Sequence, residues 1–445
     1  KTVSDYRNYI SRLRQFKRYV EQHIALMREG IRQRMVPPAI ILKDIDKIVA
    51  AHVVEKPEYS ALYKPFQQFP DYFQQAEKDS LQKEGRVVIK TVVIPAFQQL
   101  VNFLREEYIP AGRSSIAARD LPNGKAFYEF RVRYFTTLPI SPEEVHAIGM
   151  QEVKRIRAEM ETLIRQTGFD GDFHAFIRFL RTSPQFYVDS PEALLKEVAY
   201  VLKRMDGELP RLFKQLPRMP YGIKPVPDFI APRTTTAYYQ RPAGDGTRAG
   251  IYFVNTYDLK SRPLYEIEAL SFHEAVPGHH LQLALQQELT NLSPFRRFGG
   301  FTVFVEGWAL YAERLGLEVG FYQDPYSNFG RLTYEMWRAC RLVVDTGMHY
   351  LGWSRQQAID FMAENTALTL LNITNEVDRY ISWPGQALAY KMGELEIRRL
   401  RQEAETRLGA SFDLREFHQV VLEEGAIPLQ VLRQRVEKWI RAKQN

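Results

Sequence analysis

The chain has 445 residues, enough for two or three units of ~150 residues or for one large helical domain. Its 45% hydrophobic and 25% charged content matches soluble globular proteins and excludes disordered or collagen-like chains. The net charge is +7, but basic clusters have acidic neighbours, as along Lys391 to Glu405, so no nucleic-acid surface is expected.

No apolar run approaches the ~20 residues of a membrane helix, and no membrane span is expected. Residues 1–7 are polar, so any targeting segment has been removed or never existed. The compartment stays open between the cytoplasm and export. Cys340 is the only cysteine, which excludes a disulfide framework or a thiolate metal cluster within one chain.

Most of the chain reads as helix, with one amphipathic period over roughly 4–30. Residues 126–137 alternate (Tyr128, Phe130, Val132, Tyr134), a pattern that leaves helix and strand both open. Ser141-Pro142-Glu143-Glu144 predicts a capped helix start, followed by Val153, Ile156, Met160 and Leu163 at helical spacing. Ser190-Pro191-Glu192 opens another, with Leu194, Val198 and Leu202 on one face. Prolines from Pro210 to Pro232 then exclude a single long helix. Thr234 to Gln240 and Gly250 to Thr256 flank Asp245-Gly246 and predict a β-hairpin or small sheet. Ser354 to Gln357 starts a further helix, and 411–442 is again amphipathic. The expected architecture is mainly α, one catalytic domain over 1–445: helical 1–205, a Pro-rich segment with a small sheet over 206–258, and a helical half carrying the site over 259–445.

Three of the nine histidines fall in His273-Glu274-Ala275-Val276-Pro277-Gly278-His279-His280. In the arrangement H-E-x-x-H, two histidines one helical turn apart share a metal and the intervening Glu polarises water. Here position i+4 is Pro277. His279 would point away from His273 on a regular helix, and His280 would lie ~10.5 Å along the axis. A two-residue bulge at Pro277-Gly278 brings His279 into the i+4 role, with His280 as the alternative ligand. Glu306 opens an apolar helix through Trp308 and Tyr311, where a carboxylate is costly unless it is paired or bound to a cation. His273, His279 and Glu306 form the ligand set of a catalytic zinc site, one ion per chain. Glu313, two turns further on, is read as a surface charge, with support of a ligand as the alternative.

Four runs carry a resemblance: His273 to Gln282, Glu306 to Tyr311, Arg341 to His349, and Trp383 to Tyr390. Together with Leu121 to Gly124 and Gly250 to Asn255, they resemble the domain-of-unknown-function 885 family across nearly the whole chain. Members are typically longer at the N-terminus, so a mature or trimmed form is expected. That family is similar to the gluzincin metallopeptidases, such as carboxypeptidase Taq and angiotensin-converting enzyme. The resemblance implies a large helical fold with a deep cleft and a small sheet at its edge. It implies a bacterial zinc metallopeptidase, with a carboxypeptidase among the forms allowed and a peptide as substrate. Glu274 becomes the general base for water activated by zinc, Tyr380 the oxyanion stabiliser, and the strand Gly250 to Asn255 the edge on which a peptide adds. The relatives' H-E-x-G-H lacks the two residues inserted here.

Arg338 and Arg341 either clamp a substrate's terminal carboxylate or pair with Glu335 and Asp345. His349 is read equally as a core histidine or a residue of the cleft. Tyr252, with Tyr238 and Tyr239, lines the cleft or packs the sheet. His23, His52, His146, His174 and His418 receive no site role. Two other readings stand beside the peptidase: a zinc hydrolase of a non-peptide amide, and a non-catalytic helical binding protein.

Overall fold

In the computed structural model, which describes residues 2–228 and 230–444, the N-terminal amphipathic period becomes two helices, α1 (Val3–Arg14) and α2 (Phe16–Arg32), meeting at Gln15. The chain forms two compact units, Lys1–Gly124 and Lys125–Asn445. The first is built around a continuous helix, α3 (Gln75–Tyr108), which contains two π-helical turns. Leu81, Val88, Ile89 and Val93 of α3 pack with Tyr6, Ile10 and Leu13 of α1 and with Phe66. Ala96, Phe103 and Leu104 pack with Val20 and Ile24 of α2. Among the described residues α3 is the one helix long and apolar enough to cross a membrane by length and composition. The core helix of a globular unit passes the same test, which is consistent with the expected lack of a membrane span. Leu81, Val88, Ile89, Val93, Val101, Phe103 and Leu104 of α3 are buried in this unit, while Val87 is exposed.

The second unit begins with the segment whose period was ambiguous. It is a helix, α4 (Gly124–Thr136), because Tyr128, Val132 and Phe135 are buried at steps of four and three while Phe130 and Tyr134 face out. In α5 (Pro142–Gln166) the foreseen capping box forms: Ser141 Oγ accepts from Glu144 N, and the Glu144 carboxylate accepts from Ser141 N. Such a cap contributes about 1 kcal/mol. Ser190 Oγ caps α6 (Pro191–Leu212) by accepting from Ala193 N, without a returning carboxylate, and Pro210 lies inside its last turn.

The sheet has three strands, β1 (Tyr221–Pro225), β2 (Ala237–Gln240) and β3 (Gly250–Val254). β2 and β3 are the expected antiparallel pair, with Ala237 opposite Val254. β1 lies within the proline-punctuated stretch and pairs parallel to β3, giving the order β1-β3-β2. β3 is therefore central, and the outer edge belongs to β2. Asn255 N–H donates to Thr236 O, so the antiparallel alternation turns the main-chain groups of Ala237 and Tyr239 towards that open edge.

Beyond the sheet come α7 (Ile267–Glu274), α8 (His279–Glu288), α9 (Thr302–Leu315), α10 (Pro325–Thr346), α11 (Arg355–Asn365), α12 (Leu370–Ser382), α13 (Ala389–Leu408) and α14 (Leu429–Gln444). Helices α9 and α13 cross with their backbones touching: a Cβ on Gly307 would lie 2.5 Å from Gly393 Cα. Residues without side chains are needed at both positions, and the crossing holds Glu306 one residue away. Helix α13 is tied to α5 and α10 by Lys391, fully buried, whose Nζ lies 2.9 Å from the carboxylates of Glu152, Glu335 and Glu394. The mainly helical fold class matches the sequence expectation.

Candidate metal centre

The central segment is not a bulge within one helix. Helix α7 ends at Glu274, and α8 starts at His279 after a four-residue break that includes a cis Val276–Pro277 peptide. Gly278 sits against the end of α7, where a Cβ would be 2.1 Å from His273 O and 2.3 Å from Phe272 O. Only glycine fits there. His280 N–H donates to Ala275 O at 2.9 Å, and Trp308 Nε1 donates to Pro277 O at 2.9 Å, fastening the break to α9. The break turns His279 back towards His273, and their rings stand edge to face with centroids 4.7 Å apart.

Glu306, in the second turn of α9, completes the group. Its Oε2 lies 3.5 Å from His273 Nε2 and 3.4 Å from His279 Nε2, and the three ligand atoms lie within 4.8 Å of one another. That oxygen is buried without a hydrogen-bond partner. A buried carboxylate oxygen is costly to leave unpaired, and facing two imidazole nitrogens it has the surroundings of a ligand. Behind His273, Nδ1 lies 2.8 Å from Glu313 Oε1. With Nδ1–H donating to that carboxylate, the lone pair of Nε2 faces Glu306 and His279, the tautomer a metal requires. Burial disfavours the His273 imidazolium, but Glu306 and Glu313 push its pKa up to about 9. Burial also opposes ionisation of Glu306, yet the two imidazoles hold its carboxyl well below the usual range.

His280 is excluded from the group. Its Nδ1 lies 2.8 Å from Tyr239 Oη, its ring packs on Tyr221, and burial brings its pKa down to about 4. Glu313 is not a surface charge: it is 1% exposed, its carbonyl accepts from Tyr322 Oη at 2.7 Å, and Arg338 Nη2 lies 3.7 Å from its carboxylate.

The three residues open on a cavity of about 380 Å³, and Glu274 lines it beside His273. β2 forms one wall through Ala237, Tyr238 and Tyr239. Trp337, Arg338 and Arg341 of α10 form another, and both guanidinium groups lie 4.4 Å from the Trp337 ring centroid. The partners foreseen for the arginines, Glu335 and Asp345, are replaced by Glu313 for Arg338 and by Glu376 for Arg341 at 3.0 Å. Glu335 is taken by Lys391 and Arg331, and Asp345 accepts from Tyr128 Oη and Gly385 N.

Three expected site residues are not brought to the cavity lining. The Tyr380 hydroxyl accepts from Trp337 Nε1 at 2.9 Å and Arg341 Nε at 2.7 Å, so it stands behind the wall. His349 is a core histidine with Nε2 3.0 Å from Tyr380 O. Tyr252 is fully buried on the central strand, and burial, with Glu274 nearby, pushes its hydroxyl pKa up. The lining tyrosines not foreseen are Tyr334 and Tyr390. Tyr390 lies near-parallel to the His273 ring at 6.5 Å and under the Arg341 guanidinium at 4.3 Å. It closes the run Trp383 to Tyr390, the one local signal that could have drawn attention to it. His418 is buried between Tyr311 Oη and Leu212 O, outside the site as expected.

Fold and site together define a mainly helical protein with a His-His-Glu group sunk in a polar cavity. The chain belongs to the family described as bacterial protein of unknown function (DUF885), whose model matches residues 1–436. It is similar to the crystal structure of a "putative lipoprotein" from Colwellia psychrerythraea, with 33% identity and a TM-score of 0.96 over 100% of this chain and 77% of that one. A "putative lipoprotein of unknown function" from Shewanella oneidensis shares the fold at 20% identity and a TM-score of 0.66, covering 87% of this chain and 72% of that one. Comparison with curated proteins finds no match.

Proposed function

We propose that the protein is a zinc-dependent hydrolase of peptide bonds, of the gluzincin type and acting at the carboxyl end of its substrate. The observation that carries this reading is the convergence of His273 Nε2, His279 Nε2 and the unpartnered Glu306 Oε2, with Glu274 beside them in the same cavity. Two histidines and one carboxylate leave a coordination position free, the mark of a catalytic rather than a structural site. Bound by these three residues, zinc supplies Lewis acidity towards a carbonyl oxygen and acidifies a water molecule.

The chain's own groups supply the rest. Glu274 takes the proton from the attacking water and returns it to the leaving amine. Glu313 fixes the tautomer and orientation of His273. The oxyanion role expected of Tyr380 passes to Tyr390, whose ring lines the cavity, because the Tyr380 hydroxyl is engaged by Trp337 and Arg341. An extended peptide adds to the outer edge of β2, rather than to β3, through the main chain of Tyr239 and the N–H of Ala237, whose carbonyl already accepts from Thr235 Oγ1. Arg338 Nε and Arg341 Nη1 are buried without hydrogen-bond partners on the cavity wall and suit a terminal carboxylate. The description of the Colwellia psychrerythraea neighbour as a putative lipoprotein supports an exported protein.

The test is cleavage by the zinc-loaded protein of peptides with free or amidated C-termini, read by mass spectrometry. Residues should be released from the free termini, and Glu274→Gln should keep about one zinc per chain while losing ~10²–10⁴ in rate. No cleavage of any peptide by a zinc-loaded chain would sink the reading.

A further inference from the structure

Guanidinium groups outnumber carboxylates on the wall of the cavity. Four guanidinium groups line it, those of Arg241, Arg338, Arg341 and Arg379, against the three carboxylates of Glu274, Glu306 and Glu376. Glu376 is shared by Arg341 and Arg379, with Oε2 3.0 Å from each, and Glu306 is committed to the two imidazoles. Glu313 faces Arg338 from behind the lining at 3.7 Å, and a divalent cation in the site would leave a net positive charge. Arg338 and Arg341, each 3% exposed, present their unpartnered nitrogens from α10.

Arg241 stands on a different element, directly after the last residue of β2. Its Nη1 donates to Phe298 O at 2.9 Å, and among the described residues no carboxylate forms an ion pair with it. A half-buried guanidinium held only by a carbonyl retains unmet capacity for an anion, and its planar fork matches a carboxylate. It directly follows the strand whose outer edge would receive an extended peptide.

We infer that the substrate is an acidic peptide, held at Arg338 and Arg341 by its terminal carboxylate and at Arg241 by an acidic side chain flanking the scissile bond. The inference rests on the peptide-hydrolysis reading and adds specificity to it. Arg241 is then the specificity-determining residue, and the neutral amide isostere of the same peptide leaves it unpaired.

The experiment compares N-blocked peptides that carry Glu or Gln on either side of the scissile bond, using the zinc-loaded full chain. Glu at one of the two positions should raise kcat/KM at least tenfold over Gln, mostly through KM. Arg241→Gln should narrow that ratio to below threefold, while Arg241→Lys retains part of it. Equal rates for Glu and Gln peptides at both positions, or a preference that survives Arg241→Gln, overturns the proposal. Calorimetric binding of N-acetylglutamate against N-acetylglutamine separates this idea from the catalytic one. Tighter binding of the acid by at least tenfold, lost in Arg241→Gln, supports the anion site even if no peptide is cleaved. Equal binding of the two compounds by the wild-type chain rejects it, even if neutral peptides are cleaved.

Discussion

Glu313 Oε1 lies 2.8 Å from His273 Nδ1, although the two residues are 40 positions apart and on different helices. The contact couples the ligand face of His273 to a fully buried carboxylate, which also faces Arg338. Removing such a partner typically weakens metal binding 10–100-fold. Glu313→Gln should lower zinc affinity by about tenfold and Glu313→Ala by about a hundredfold, measured by competition with a chromophoric chelator. Affinity unchanged in both variants would show that His273 is oriented by packing alone.

The crossing of α9 and α13 yields a second expectation. A methyl group on Gly307 would sit 2.5 Å from Gly393 Cα, and one on Gly393 would sit 2.0 Å from Val303 O. Backbone cannot yield as a side chain tip can, so either alanine forces the helices apart. Gly307→Ala and Gly393→Ala should each cost about 2–3 kcal/mol in urea unfolding. Zinc affinity should fall with them, because Glu306 adjoins the crossing. An exposed control, Tyr200→Ala, should change stability by no more than ~0.5 kcal/mol.

What the sequence revealed and what it hid divide along the distance over which each feature is decided. The caps at Ser141, Ser190 and Ser354 depend on residues three apart and form as read. The grouping of His273 and His279 was legible because Pro277 and Gly278 interrupt a helix within the motif itself. Glu306 was legible because a lone acid among apolar neighbours demands a partner. The burial of Glu313 was hidden, since it depends on Arg338, Tyr322 and His273 converging from three other segments. The placement of Tyr380 and Tyr390 was hidden for the same reason: Arg341 and Trp337, some forty residues from Tyr380, take its hydroxyl, and Tyr390 is the tyrosine left on the cavity. The central position of β3 was hidden because β1 lies in the proline-punctuated stretch, where the prolines excluded a long helix without indicating a strand, and proline is tolerated at a sheet edge.

Tyr380 and Tyr390 can be separated by their phenylalanine variants. If Tyr390 steadies the developing oxyanion, Tyr390→Phe should lower kcat by ~10²–10³ with KM little changed. Tyr380→Phe leaves Trp337 Nε1 and Arg341 Nε without their shared acceptor. Its signature should be a stability loss of about 1–3 kcal/mol, with a smaller effect on kcat. The reverse pattern would return the oxyanion role to Tyr380.

Acid sensitivity should come in part from a histidine remote from the proposed metal ligands. His418 is fully buried between Tyr311 Oη and Leu212 O, and burial brings its pKa down to about 3 from an ordinary 6.5. Between those two values the unfolded chain binds a proton that the folded chain refuses, so this group's contribution to stability falls as pH drops below 6.5. Asp345 acts with the opposite sign: burial pushes its carboxyl up to about 7, so it favours the folded state at lower pH and opposes it as pH rises through 7. Replacing His418 isolates the first effect. From pH 7.5 to 4.5, His418→Gln should lose about 2 kcal/mol less unfolding free energy than the wild type. The measurement is a urea titration at the two pH values. Equal losses in the two proteins would mean that His418 gains its proton in the folded state as readily as in the unfolded one.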